Sequence, residues 1–176
     1  MNAWEIRNAL DTLTLIVDTR EQDTRLFRDR MKQVGVPHIR RKLDFGDYSA
    51  LIRDADGEEI DFSSSFAIER KMSLDELAQC LTRSRKRFAR EFMRAQDAGA
   101  KTYLLVEGAT WEKAIDGIYR TQMAPNALVA SMTAWLARYD CQLIMCRPES
   151  TPRLIREICY REVKERLEAA ADANDC

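Results

Sequence analysis

The chain has 176 residues, 45% apolar and 32% charged, with a formal net charge of −1. That length fits one domain able to bury a core without disulfides, and the near-neutral balance argues against a binder that holds nucleic acid by bulk positive charge. Five cysteines without CxxC spacing and a single histidine, His38, argue against a four-ligand zinc site and point to reduced thiols in a cytoplasmic protein.

Met1 to Asp11 carries charges where a secretory leader needs an apolar stretch. No apolar run approaches the ~20 residues that span a bilayer. Leu13 to Val17 is a short, β-branched apolar run and reads as a buried strand ending at Asp18. Leu26, Phe27, Met31 and Val34 give Gln22 to Val34 a helical spacing, with Gly35 as its C-cap. Val36 to Leu43 reads as a more polar strand. Gly46 interrupts the extended stretch beside Asp47, and Tyr48 to Arg53 continues as a strand. Asp56-Gly57 predicts a two-residue hairpin turn, with the chain returning through Glu59 to Phe62. After a bend at Ser63 to Ser65, Phe66 to Ile68 leads into Glu69-Arg70-Lys71.

A capping box at Ser73 and Glu76 predicts one long helix to about Asp97. Thr102 to Val106 and Cys141 to Cys146 read as strands, and Pro125 to Tyr139 as a helix between them. Thr151-Pro152 opens a last helix, whose acidic end from Glu168 to Cys176 is expected to fray. Strands alternating with helices give an α/β class: a single domain over residues 1–176 with a central mixed sheet flanked by helices.

Ionisable residues gather beside apolar strands at three places: Asp18-Thr19-Arg20-Glu21, Gly46-Asp47-Tyr48 and Glu69-Arg70-Lys71. On a strand, Glu69 and Lys71 share one face and Arg70 takes the other. Carboxylates with a nearby lysine are what metal-assisted phosphodiester hydrolysis needs. Acidic oxygens hold a hard Mg²⁺, the cation polarises the phosphate and activates water, and the lysine positions that water and offsets the developing charge. Each piece alone has a plainer use. Asp18 could cap the following helix, Asp47 could make a turn, and Glu-x-Lys could be a surface ion pair.

Taken together and in order, Val17-Asp18-Thr19-Arg20-Glu21, Gly46-Asp47-Tyr48 and Ile68-Glu69-Arg70-Lys71 resemble the nuclease domain of the XPF-type structure-specific endonucleases, within the wider PD-(D/E)xK nucleases. The resemblance extends through Ser73 to Leu77 and Leu104 to Gly108, and covers about Leu13 to Arg156. It implies a restriction-endonuclease-like fold and a metal-dependent DNA endonuclease acting on branched or flapped DNA, with roles in repair and recombination. Asp18, Asp47 and Glu69 would hold Mg²⁺, for which Mn²⁺ could substitute. Glu21 would complete the acidic set, Lys71 would be the catalytic lysine, and Arg20 and Arg70 its associated arginines. No organic cofactor and no membrane are implied. The family commonly has a glycine-arginine step in the helix after the signature; here the stretch is Ser84-Arg85-Lys86-Arg87-Phe88, with Arg87 as the candidate for that arginine. No helix-hairpin-helix module follows the signature and no helicase domain precedes it, which suggests a stand-alone form. A non-catalytic scaffold of the same fold would be expected to lose signature acids, and this chain keeps all of them. A nuclease acting on ordinary duplex stays open.

Arg83, Arg85, Lys86, Arg87 and Arg90 supply a local basic face for DNA, opposed between Arg83 and Arg94 only by Glu91. Arg40, Arg41 and Lys42 form a second candidate. Finally, the resemblance implies a homodimer. Apolar residues on more than one face of the Pro125–Tyr139 helix, and along the last helix, place the expected interface on those two elements.

Overall fold

A computed structural model describes residues 1–174. Its centre is a seven-stranded mixed sheet, in the order β2-β1-β3-β5-β6-β7 with β4 beside β3. The strands are β1 (Thr14–Val17), β2 (His38–Arg40), β3 (Tyr48–Arg53), β4 (Glu59–Asp61), β5 (Phe66–Lys71), β6 (Lys101–Glu107) and β7 (Gln142–Cys146). β1 runs parallel to β2 and antiparallel to β3. β3 is antiparallel to both β4 and β5, and β5, β6 and β7 are parallel.

Helices cover both faces, as buried strands require. On one face α1 (Ala3–Asp11), α2 (Arg25–Val34) and α7 (Thr151–Asn174) bury Leu10, Phe27, Met31, Ile155 and Val163 against Val17, Tyr48, Phe66 and Ile68. On the other, α3 (Leu74–Leu81), α4 (Arg85–Asp97), α5 (Trp111–Ile115) and α6 (Pro125–Tyr139) enclose Leu77, Phe88, Phe92, Leu128 and Trp135 with Leu104 and Val106. The two walls meet at the ends of β1 and β5. Among the described residues, no helix is long and apolar enough to cross a membrane.

Several expectations change. The single helix from Ser73 to Asp97 is two helices, broken at residues 82–84. Thr82 stands at the break. Its hydroxyl donates to the Ala78 carbonyl at 2.7 Å and its N–H turns back to Gln79, competing with the helical ladder. The hairpin turn at Asp56-Gly57 is a five-residue loop, because Asp54 accepts hydrogen bonds from the N–H groups of both Asp56 and Glu58. Helix α1 was not foreseen, although Asn2 and Glu5 form a reciprocal capping box and Ile6, Ala9 and Leu10 make a buried stripe. α7 is helical to Asn174, through the acidic stretch from Glu168; Asp175 and Cys176 lie outside the described residues. The two helices expected to carry the dimer surface lie apart, and one of their large rings is internal. α6 and α7 pack on opposite faces of the sheet, and Trp135, 1% exposed and stacked on Phe88, belongs to the core.

Candidate active site

Gly46 sets the geometry. Its φ of +72° is left-handed, and a Cβ there would stand 2.7 Å from the Ala67 side chain, so a bare backbone is needed to press against β5. The contact fixes Asp47. Its N–H donates to the Ile68 carbonyl at 2.8 Å, and its Oδ2 accepts the Arg70 N–H at 2.8 Å. Next to it, Glu69 and Lys71 project from one face of β5 and Arg70 from the other, as strand alternation requires. Lys71 Nζ lies 2.5 Å from Glu69 Oε1, 3.9 Å from Glu76 Oε1 and 5.4 Å over the Phe88 ring.

Asp47, Glu69, Arg70 and Lys71 line an open groove of 790 Å³, walled by Arg20, Glu21, Leu26, Arg30, Met72, Glu76, Arg87 and Glu91 among others. The electrostatics are strained. Burial, and then the charge of Glu69, push the Asp47 carboxyl well above the usual carboxylate range. Burial also raises Glu69, against the pull of Lys71. At Lys71 burial opposes the charged amine, but Glu69 and Asp47 outweigh it and hold the ammonium.

Asp18 differs from the expectation of a metal ligand. It is fully buried and does not line the groove. Its Oδ1 accepts the Arg20 N–H and Nε, each at 2.7 Å, and its Oδ2 accepts the Leu43 N–H at 2.7 Å. Burial alone would raise its pKa, but these donors hold it below the ordinary value. Arg20 reaches onward from Asp18 to Glu91 Oε1 at 2.8 Å, joining the β1 end to α4. Arg40 donates to the carbonyls of Thr19 and Glu21, and Arg41 pairs with Glu59 and Asp61. Arg40 and Arg41, two of the three residues in the second basic candidate, are thus engaged within the fold.

Glu21 stands in a separate network. Its carboxylate accepts the Tyr48 hydroxyl at 3.0 Å and lies 3.7 Å from Arg30 and 3.9 Å from Arg70. The Arg70 guanidinium is buried: Nη1 lies 3.2 Å from Glu107 without hydrogen-bond alignment, and Nε has no partner. Arg87 is the member of the basic run that lines the groove. Arg83 faces a neighbouring cleft with Asp75 and Arg120, Arg85 lies 5.9 Å over Trp135, and Lys86 and Arg90 are exposed.

The groove also holds residues that the sequence reading gave other uses or none. Glu91 was seen only as the lone acid in a basic run, and that lone sign is the clue to its place. Glu76 was read as a helix cap; its carboxylate accepts the Met72 N–H at 2.7 Å while facing Lys71. Arg30 was hidden as the polar member of an amphipathic helix.

Among the described residues, no three His, Cys, Asp or Glu side chains gather into a cluster able to hold a metal alone. Mg²⁺ does not require one, since it keeps several waters and is bound by one or two carboxylates plus substrate phosphates. The hard oxygens of Asp47 and Glu69 fit that donor set, and a cation would relieve the repulsion between them.

A carboxylate pair with a lysine, carried at strand ends of a helix-flanked mixed sheet, defines a restriction-endonuclease-like domain. Over residues 17–155 the chain matches the ERCC4 domain model, and it belongs to that family. It is similar to solved structures of XPF from Aeropyrum pernix. One, at 22% identity and a TM-score of 0.59, aligns over 83% of this chain and 59% of its own length. Another, a complex with DNA, gives 23%, 0.60, 86% and 66%. The likeness establishes the XPF nuclease-domain fold, and this chain spans less than two thirds of either structure's length. A search of curated proteins found no match.

Proposed function

We propose that the chain is a divalent-metal-dependent endodeoxyribonuclease that cuts branched or flapped DNA. The observation that carries this reading is the convergence of Asp47, Glu69 and Lys71 on one open groove in a member of the ERCC4 family. The relative solved with DNA supports a nucleic-acid substrate. Mg²⁺ or Mn²⁺, held through Asp47 and Glu69, would supply Lewis-acid polarisation of the phosphate and activation of the attacking water. Lys71, kept charged by the two acids, orients that water and offsets charge at the phosphorus. Arg87 and Arg20 flank the strand's phosphates at the groove wall. Arg83, Arg85, Lys86 and Arg90 extend that basic face along α4 and the turn before it. Asp18 positions Arg20 and the loop, and the Arg70 N–H fixes Asp47. Glu21, with Tyr48 and Arg30, holds the second wall.

The same reading includes a homodimer in a reducing, cytoplasmic setting, which the four free cysteines among the described residues suit. β7 lies between α6 and α7 in the chain and forms one edge of the sheet, and the interface is placed there. There Leu143, Ile144 and Met145 are half-buried, Leu143 and Met145 packed beneath the α3–α6 helices, and among the described residues β7 pairs only with β6. Sedimentation at micromolar concentration checks this: an Ile144→Glu variant that keeps its far-UV circular dichroism should run as a monomer while the wild type does not. For the activity, labelled duplex, flap, splayed-arm and single-stranded DNA are incubated with Mg²⁺, Mn²⁺ or EDTA. Cutting of the branched substrates with either metal and none in EDTA is expected. Binding without cutting of any substrate would instead indicate a scaffold.

A further inference from the structure

Two large apolar side chains stand exposed in the charged groove: Leu26, 72% exposed, and Met72, 59% exposed. Scattered exposed apolar residues are ordinary. These two border one cleft, and they approach it from opposite faces of the sheet. Leu26 belongs to α2, on the face shared with α1 and α7, whereas Met72 opens the turn into α3 on the other face.

Neither sits on a loose segment. Leu26 is in the first turn of a helix capped by Thr24, whose hydroxyl accepts the Phe27 N–H at 3.1 Å. Four residues on, Arg30 stands on the same side of α2 and lines the same groove, while Phe27, Met31 and Val34 face the core. Met72 directly follows Lys71, and its N–H is fixed by the Glu76 carboxylate at 2.7 Å. Both side chains therefore enter the groove of Asp47, Glu69 and Lys71 from backbone that is hydrogen-bonded in place.

An unbroken duplex offers this groove phosphates and sugars, and the arginines answer those. Its base faces are covered by stacking. Apolar faces become available only where stacking is broken, as at a flap or a branch, and apolar side chains inserted at such steps are an established way to hold kinked DNA. We infer that Leu26 and Met72 form a two-sided wedge that receives the unstacked base beside the scissile phosphate. They thereby determine specificity for branched over continuous DNA; this rests on the endonuclease reading above.

The test places the fluorescent base analogue 2-aminopurine at the branch of a flapped duplex, and at the same position of a continuous duplex. Binding is read with Ca²⁺ and cleavage with Mg²⁺. The wild-type protein should raise the fluorescence of the flapped DNA well above that of the continuous one. The Leu26→Ser, Met72→Ser variant should lose the rise, and its flap-over-duplex cleavage ratio should fall on the order of tenfold, the scale of one lost apolar contact. Exchanging the pair as Leu26→Met, Met72→Leu should retain both. A double serine variant that keeps the rise and the ratio, or a wild type that shows no rise, overturns the wedge. A rise that is lost in the serine variant, with no cutting of any DNA by the wild type, supports the wedge and defeats the endonuclease reading instead.

Discussion

Asp18 and Asp47 sit one hydrogen bond apart, Asp18 N–H to Asp47 carbonyl at 2.9 Å, yet their environments have opposite signs. Asp18 is buried among donors aimed at both of its oxygens, and its pKa is lowered. Asp47 receives one backbone donor, faces Glu69 and is pushed up. Two acids of one signature have separated into a structural anchor and a poised group. Three donors already occupy the Asp18 carboxylate, against one at Asp47. The strain at Asp47 is what a cation would relieve.

Substitution should break this contrast most visibly in catalysis. Asp47→Asn, Glu69→Gln and Lys71→Ala should each lower cleavage by about a hundredfold or more, the scale of losing a group that acts on transition-state charge. EDTA should do the same to the wild type. Quantitative gel assays with flapped DNA check both.

Stability should move the other way. Asp18→Ala strands the buried Leu43 N–H, which costs about 1–3 kcal/mol in urea unfolding. Asp47→Asn should leave the metal-free protein as stable as wild type at pH 7, or more so. The signs follow from linkage. Asp18 has a depressed folded pKa, so its contribution is present above the ordinary value of 3.8 and disappears as pH falls through the folded one. Asp47 has a raised folded pKa, so its ionisation costs stability as pH climbs above 3.8 towards that value. Thermal melts of Asp18→Ala and Asp47→Asn against wild type across pH 3 to 8, a range spanning ordinary carboxylate titration, should diverge accordingly. The smallest effect concerns the rim. Arg87→Ala should reduce the log–log salt slope of DNA binding by about 0.9, one duplex phosphate contact. Arg83→Ala, in the neighbouring cleft, should change it less.

How far the sequence foretold this depends on the kind of signal. Tyr48–Arg53 and Pro125–Tyr139 have the expected bounds, because apolar pattern and a proline at the first helical position mark them locally. Asp47, Glu69 and Lys71 could be grouped through motif order. The helix break at Thr82 could not, since no glycine or proline marks residues 82–84. Nor could the role of Asp18. Its three donors come from its own loop and from Leu43, and the Leu43 contact depends on how the chain folds back. Glu91 meets Arg20 across 71 positions, beyond the reach of any local pattern.

The most direct test of the account is Mn²⁺ binding by titration calorimetry on wild type, Asp47→Asn and Asp18→Asn, each folded and bound to a flapped DNA whose scissile P–O bond is replaced by a non-hydrolysable methylene phosphonate. The account predicts that Asp47→Asn loses the Mn²⁺ signal while Asp18→Asn retains it. Loss in Asp18→Asn with retention in Asp47→Asn would contradict it.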